Sequence, residues 1–260
     1  MKRYTRAVLL ILALCLLFCL PAAALSPQSA AEDLSEAAMF RGTDQGLELS
    51  RAPKRSEAAV MLVRLYGAEE EALALYESGD LIQPFEDGNN WAAPYLAWLY
   101  SRGLVKGMSE SQYGVNLPCK AGDYALFLLR ALGYQDGVDF DWAETRAFAE
   151  AHGFYLDCLF GGTFTRGDLA LMTWFALQSE CADGSGTLLQ SLTKSGAVDP
   201  DASRALEASF RKSPVRLTDG QLTLDTAAWR KASADMEIRV NFESGAEFVS
   251  RSEERRVGKE

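Results

Sequence analysis

Apolar positions along this chain follow two rhythms: a helical spacing through the middle, and a strand-like alternation beyond Pro214. Three helical blocks align without a gap on an acidic residue. They are Glu57-Ala58-Ala59-Val60-Met61-Leu62, Asp123-Tyr124-Ala125-Leu126-Phe127-Leu128 and Asp168-Leu169-Ala170-Leu171-Met172-Thr173. A small residue recurs at Ala59, Ala125 and Ala170. Arg64 and Arg130 occupy a later shared position, taken by Phe175 in the third block, and Gly67 and Gly133 then stop the first two helices in register. The blocks are apolar around most of their girth, which predicts central helices.

Each block opens with helix-start chemistry. Thr165 with Asp168 three residues on resembles a capping box, in which hydroxyl and carboxylate satisfy free backbone amides. Lys54 and Lys120 replace the Thr in the other two blocks. Those helices lose the side-chain cap but keep a nearby Pro (Pro53, Pro118) and an acid suited to the positive helix end. Ahead of the second block, Trp91 to Leu104 reads as a further helix stopped by Gly103, and Val105 to Pro118 as a loop. The unit is therefore helix, loop, helix. Ala37 to Gly67 reads as the same unit with an eroded first half, and Trp142 to Leu177 as one with a shorter loop.

Beyond Leu177 the pattern changes. Asp183-Gly184-Ser185-Gly186 reads as a linker, with short helices around Leu188 to Leu192 and Ala202 to Phe210. Val215-Arg216-Leu217, Asp219-Gly220 and Leu222-Thr223-Leu224 predict a hairpin; Met236 to Phe242 alternates, with Phe248-Val249 available to pair. The expected fold is mainly α: three helix-loop-helix repeats in a pseudo-threefold helical bundle, at residues 32–78, 82–136 and 137–180, followed over 181–250 by short helices and a small β-rich segment. That segment is either the start of a second domain or an appendage. Residues 251–260 form a charged tail whose character is foreign to the rest.

The ends and the composition narrow the function. Lys2, Arg3 and Arg6 precede an unbroken apolar run from Ala7 to Leu20, then Pro21 and Ala22-Ala23-Ala24, the layout of a secretory signal peptide over residues 1–24. The run is shorter than the roughly 20 residues of a spanning helix, so no membrane span is expected after cleavage. The net charge is −10, and cleavage removes three bases and no acid. Such a charge argues against nucleic acid or an anionic membrane as the main partner. Cys119, Cys158 and Cys181 remain, an odd and sparse set that points to buried thiols, with room for one bridge. His152 is the sole histidine and flanks a helix end at Gly153. No nucleophile signature, metal-ligand spacing or phosphate-binding glycine loop accompanies it, so no catalytic activity, metal or cofactor is expected.

Three features carry a resemblance: Phe85-Glu86-Asp87 with Trp91-Ala92, then Gly103-Leu104-Val105-Lys106-Gly107, then a Thr-Arg-Ala-Glu-like turn opening an apolar helix. Thr165-Arg166-Gly167-Asp168 and Lys54-Arg55-Ser56-Glu57 look like variants of that turn. Together these resemble the S-layer homology domain, over roughly Glu32 to Leu177. The resemblance implies three tandem repeats in a helical prism. It also implies non-covalent attachment of an exported protein to the wall of a Gram-positive-type bacterium, through a secondary cell-wall polysaccharide, often one bearing pyruvate ketals.

A pyruvylated sugar presents a carboxylate on a ring with one apolar face, so its groove wants an Arg, a helix N-terminus and an aromatic ring. Arg55 and Arg166 sit at helix starts; Lys120 is the base beside Ala121, where the second copy lacks the Arg; Asp87 and Trp91 would line the groove from a neighbouring unit. These five are the candidate glycan-binding residues. The arginines serve equally as local ion-pair partners, Trp91 as a core residue, and Glu57, Asp123 and Asp168 as caps. An extracellular scaffold that keeps the fold without binding glycan is the second reading.

Overall fold

The computed structural model describes residues 25–213 and, as backbone, the strands at 215–218, 221–224, 236–241 and 245–250. The segments read as a signal peptide and a charged tail lie outside the described residues, as does the side chain of Cys158. The described chain is mainly helical. In order it runs α1 (Pro27–Glu36), α2 (Arg55–Leu65), α3 (Glu69–Glu77), α4 (Ala93–Ser101), α5 (Ala121–Ala131), α6 (Thr145–Ala151), α7 (Asp157–Phe160), α8 (Arg166–Ala176), α9 (Leu188–Lys194) and α10 (Pro200–Lys212). Beyond them β1 (Val215–Thr218) pairs antiparallel with β2 (Gln221–Leu224), and β3 (Met236–Asn241) with β4 (Gly245–Ser250), in two separate ribbons.

The three acid-led blocks are α2, α5 and α8. Each is 11 residues long and begins two residues before its acid. Their starts differ as the sequence predicts. Thr165 Oγ1 accepts from Asp168 N at 3.1 Å while Asp168 Oδ2 accepts from Thr165 N at 2.9 Å, a reciprocal cap. At α2 only the acid's half is made: Glu57 Oε2 accepts from Lys54 N at 2.8 Å. The small residues of the repeat explain themselves by burial. Ala59, Ala125 and Ala170 are wholly buried, alongside Leu62, Leu128 and Met172. Each buried Leu or Met contributes about 1.5–3 kcal/mol by leaving water, whereas a methyl at the Ala positions lets backbones approach without overpacking. Between α5 and α8 the one buried polar link is Tyr124 Oη with Thr173 Oγ1, 2.7 Å apart.

A shorter helix lies against each long one: α1 on α8, α4 on α2, α6 on α5. The helix against α8 lies upstream of Ala37, where Ser26 caps a helix opened by Pro27. Ser26 Oγ accepts from Ser29 N at 3.1 Å, and Leu34 and Ala30 are buried. The chain then closes on its own beginning. Phe210 of α10 meets Trp174 of α8 edge-on at 4.8 Å, and Asp33 of α1 accepts from Trp174 Nε1 at 3.0 Å and from Ser209 Oγ. Gly67 ends α2 with φ +61°; a Cβ there would stand 2.5 Å from Ala197 O, so only glycine allows both the left-handed turn and the α9–α10 connection beside it.

Candidate functional site

The loop between α4 and α5 is organised by one carboxylate. Asp87 Oδ1 accepts from Tyr113 N at 2.8 Å, and Asp87 Oδ2 from Gly114 N at 2.7 Å and Val115 N at 3.0 Å. Burial opposes the ionised form of Asp87. The amides of Tyr113, Val115 and Gly114 outweigh it and hold the carboxyl below its ordinary range. Behind the loop, Phe85 packs against Tyr113 at 5.4 Å. Gly107 turns under it with φ +73°; a Cβ would stand 2.5 Å from the Phe85 ring, which fixes glycine at this point.

This loop walls a groove of about 940 Å³ whose other sides are the start of α5 and the segment around α6. Five bases line it (Arg55, Lys106, Lys120, Arg130 and Arg146) against two acids, Asp123 and Asp136. Three of the bases are ion-paired with the two acids. Arg55 Nη1 lies 3.0 Å from Asp123; Lys106 Nζ and Arg130 Nη2 lie 2.9 and 3.0 Å from Asp136. Burial alone would raise the Asp136 carboxyl, but Lys106 and Arg130 pull it below its usual range. Lys120 and Arg146 are exposed and have no ion-pair partner among the described residues. Trp142, in the 3-10 turn that opens α6, is 69% exposed on the rim, with Met108 and Leu117 also exposed. The groove thus offers a surplus of positive charge beside an uncovered indole, in a chain of net charge −10.

The residues singled out from the sequence do not converge. Arg55 and Lys120 line the groove; Asp87 holds its wall from behind; Arg166 and Trp91 lie elsewhere. Arg55 and Arg166 are 7% and 6% exposed, and their guanidinium groups rest on protein acceptors: Tyr113 O and Asp123 for Arg55, Leu47 O and Arg41 O for Arg166. Trp91 is 61% exposed and stands against Tyr95 at 6.4 Å, but the cations around Tyr95, Arg41 and Arg64, are both taken up by Glu69. Two groove residues, Trp142 and Arg146, were not nominated from the sequence. The signal was present: Trp142 precedes its short helix as Trp91 precedes α4, and Arg146 follows at the spacing of Tyr95 from Trp91.

The Asp87-held loop, the turn at Gly107 and the first turn of α5 are contiguous, and comparison with known proteins falls on this stretch. Residues 84–125 match the S-layer homology domain. That match takes in α4, the loop and the opening of α5, one unit of the chain. A cell surface protein of Thermoanaerobacter kivui is 29% identical over 149 residues, covering 52% of this chain and 19% of that protein. The chain thus spans about a fifth of that relative's length. Among the described residues no helix is long and apolar enough to cross a membrane, and no His, Cys, Asp and Glu cluster could hold a metal ion.

Proposed function

We propose that this protein is a non-catalytic, exported cell-surface anchor whose S-layer homology domain binds an anionic secondary cell-wall polysaccharide in the groove beside α5. The observation that carries the reading is the pairing of two ion-free bases, Lys120 and Arg146, with the exposed ring of Trp142. A sugar carrying a carboxylate, such as a pyruvate ketal, places its charge on the bases and its apolar face on the indole. The net acidity of the chain does not oppose this, since at about 0.15 M salt charges beyond roughly 8 Å are screened and local ones decide. Beside Trp91 both arginines, Arg41 and Arg64, are ion-paired with Glu69, whereas Lys120 and Arg146 have no ion-pair partner among the described residues, so the reading places the anion in the groove beside α5.

The same reading takes α1–α2, α4–α5 and α6–α8 as three tandem repeats around a pseudo-threefold axis. Its support is cyclic: each short helix packs on the long helix of the preceding unit, with α1 returning to α8. The family match and the surface relative, whose remaining length this chain does not cover, support a place at the cell surface, and the reading takes that surface to be the wall of a Gram-positive-type envelope. Sedimentation with purified sacculi tests it: the protein co-sediments with intact walls and stays in solution when the secondary polysaccharide is stripped. Equal sedimentation with stripped walls refutes glycan binding and favours the scaffold reading.

A further inference from the structure

At the start of two of the three long helices, the first turn grips the neighbouring unit in one repeated pattern. Arg55, the first residue of α2, donates Nε to Tyr113 O at 3.0 Å and Nη1 to Asp123 Oδ2 at 3.0 Å. The amides of Arg55 and Ser56 donate to Leu117 O at 2.9 Å and Val115 O at 3.3 Å. Arg166, the first residue of α8, does the same one unit round. Its Nε donates to Leu47 O at 3.1 Å, and the amides of Arg166 and Gly167 donate to Arg51 O and Leu49 O, both at 2.9 Å. Glu57 lies 3.7 Å from Arg166 Nη1, as Asp123 lies beside Arg55. The register is the same residue for residue, since Tyr113, Val115 and Leu117 precede Asp123 by the same steps as Leu47, Leu49 and Arg51 precede Glu57.

The third seam breaks the pattern at every point. The first residue of α5 is Ala121, and among the described residues the amides of Ala121 and Gly122 meet no acceptor. Asp168 holds the place of Asp123 and Glu57 but faces no cation, accepting only from Thr165 and the backbone of its own cap. Burial pushes its carboxyl above the ordinary range, which the Thr165 bonds do not offset. Rings fill the seam instead: Tyr124 meets Phe164 at 6.1 Å, and Phe164 meets Phe160 at 6.4 Å. The seam keeps the Tyr124–Thr173 hydroxyl bond deep between the helices, but no helix start is anchored to the neighbouring loop as guanidinium and amides anchor α2 and α8.

We infer that the first-turn arginine is a clasp between successive helix-loop-helix units, and that the clasp missing at Ala121 makes the α5–α8 seam the compliant joint of the bundle. The inference stands on packing and is independent of wall binding. It assigns Arg55 and Arg166 to the free protein, with their bonds already made before any ligand arrives.

Amide hydrogen exchange on the full chain, with no wall material present, tests it. In the wild type, the amides of Ala121 and Gly122 exchange about tenfold or more faster than those of Arg55, Ser56, Arg166 and Gly167, which occupy the same positions of equivalent helices. Arg166→Ala then speeds exchange at Arg166 and Gly167 by about tenfold and leaves Arg55 and Ser56 unchanged; Arg55→Ala does the converse. Asp123→Asn, a milder change, shifts only Arg55 and Ser56, in the same direction. Equal protection at the three helix starts in the wild type overturns the inference without any variant having to fold. So does an arginine variant with unchanged exchange, the behaviour of a side chain that waits for ligand.

Discussion

Asp87→Ala is the substitution that most sharply separates a residue that builds the groove from one that binds in it. The carboxylate accepts three successive amides of the loop, at 2.8, 2.7 and 3.0 Å. A fully buried hydrogen bond to a charged group is worth about 1.5–3 kcal/mol, but Asp87 and Gly114 are only partly buried, so water screens the carboxylate. Discounting each bond to about 0.7–1 kcal/mol gives a loss of about 2–3 kcal/mol. For a chain of this size that lowers Tm by about 4–12 °C. Urea unfolding at pH 7, followed by far-UV circular dichroism, reads the loss directly. The pH dependence identifies its source. The Asp87 carboxyl sits below its ordinary value of 3.8 in the folded chain, so its contribution is complete above that value and is lost as pH falls through the lowered one. The gap between wild type and variant therefore narrows on acidification. A loss under about 1 kcal/mol, or a gap that does not change between pH 6 and pH 3, would refute the carboxylate as the organiser of the loop.

The remaining predictions concern the scaffold. Thr165→Ala removes one half of the α8 cap and costs about 1 kcal/mol, measured by chemical denaturation. Ala125→Leu adds an isopropyl group at a wholly buried position and costs about 1–3 kcal/mol, while the same change at exposed Ala143 leaves stability within about 0.5 kcal/mol. Cys119 is buried and its thiol is pushed up to about 12 by that burial, so it does not react with a thiol reagent at pH 8 until denaturant is added. Asp168→Asn acts oppositely to Asp87→Ala in its pH dependence. The Asp168 carboxyl lies above its ordinary value, so ionising it weakens the fold as pH rises, and the variant gains on the wild type between pH 3 and pH 7.

Much of this was legible in the sequence, and for physical reasons. Repeated acids and alanines mark α2, α5 and α8, and stopping glycines the first two, because each position answers a local demand: a positive helix end, a close approach, a left-handed turn. The helix α1 is not legible in the same way because it carries a Ser-Pro start in place of the aromatic one that marks α4. Trp91 is exposed although its residue type suits a core, because a Trp ahead of a helix start can fall on either side of the chain, whereas Trp98, inside α4, is fixed inward. The arginines illustrate the hardest limit. Their position at a helix start is local and visible, but the carbonyls they rest on lie about 60 and 120 residues away along the chain, a separation no periodicity reports. Lys120 and Arg146 stand out only once the ion pairs of their neighbours are counted off.

Whether the groove beside α5 holds the glycan is decided by the retention of two variants on purified sacculi. Trp142→Ala removes an exposed ring, and Lys120→Glu with Arg146→Glu reverses the two bases that carry no ion pair, so none of these changes disturbs the core. Both proteins are expected to unfold at the wild-type temperature, Trp142→Ala to bind about tenfold more weakly, and the double reversal to abolish retention, if glycan binding sits in this groove. Wild-type retention by the double reversal would contradict it.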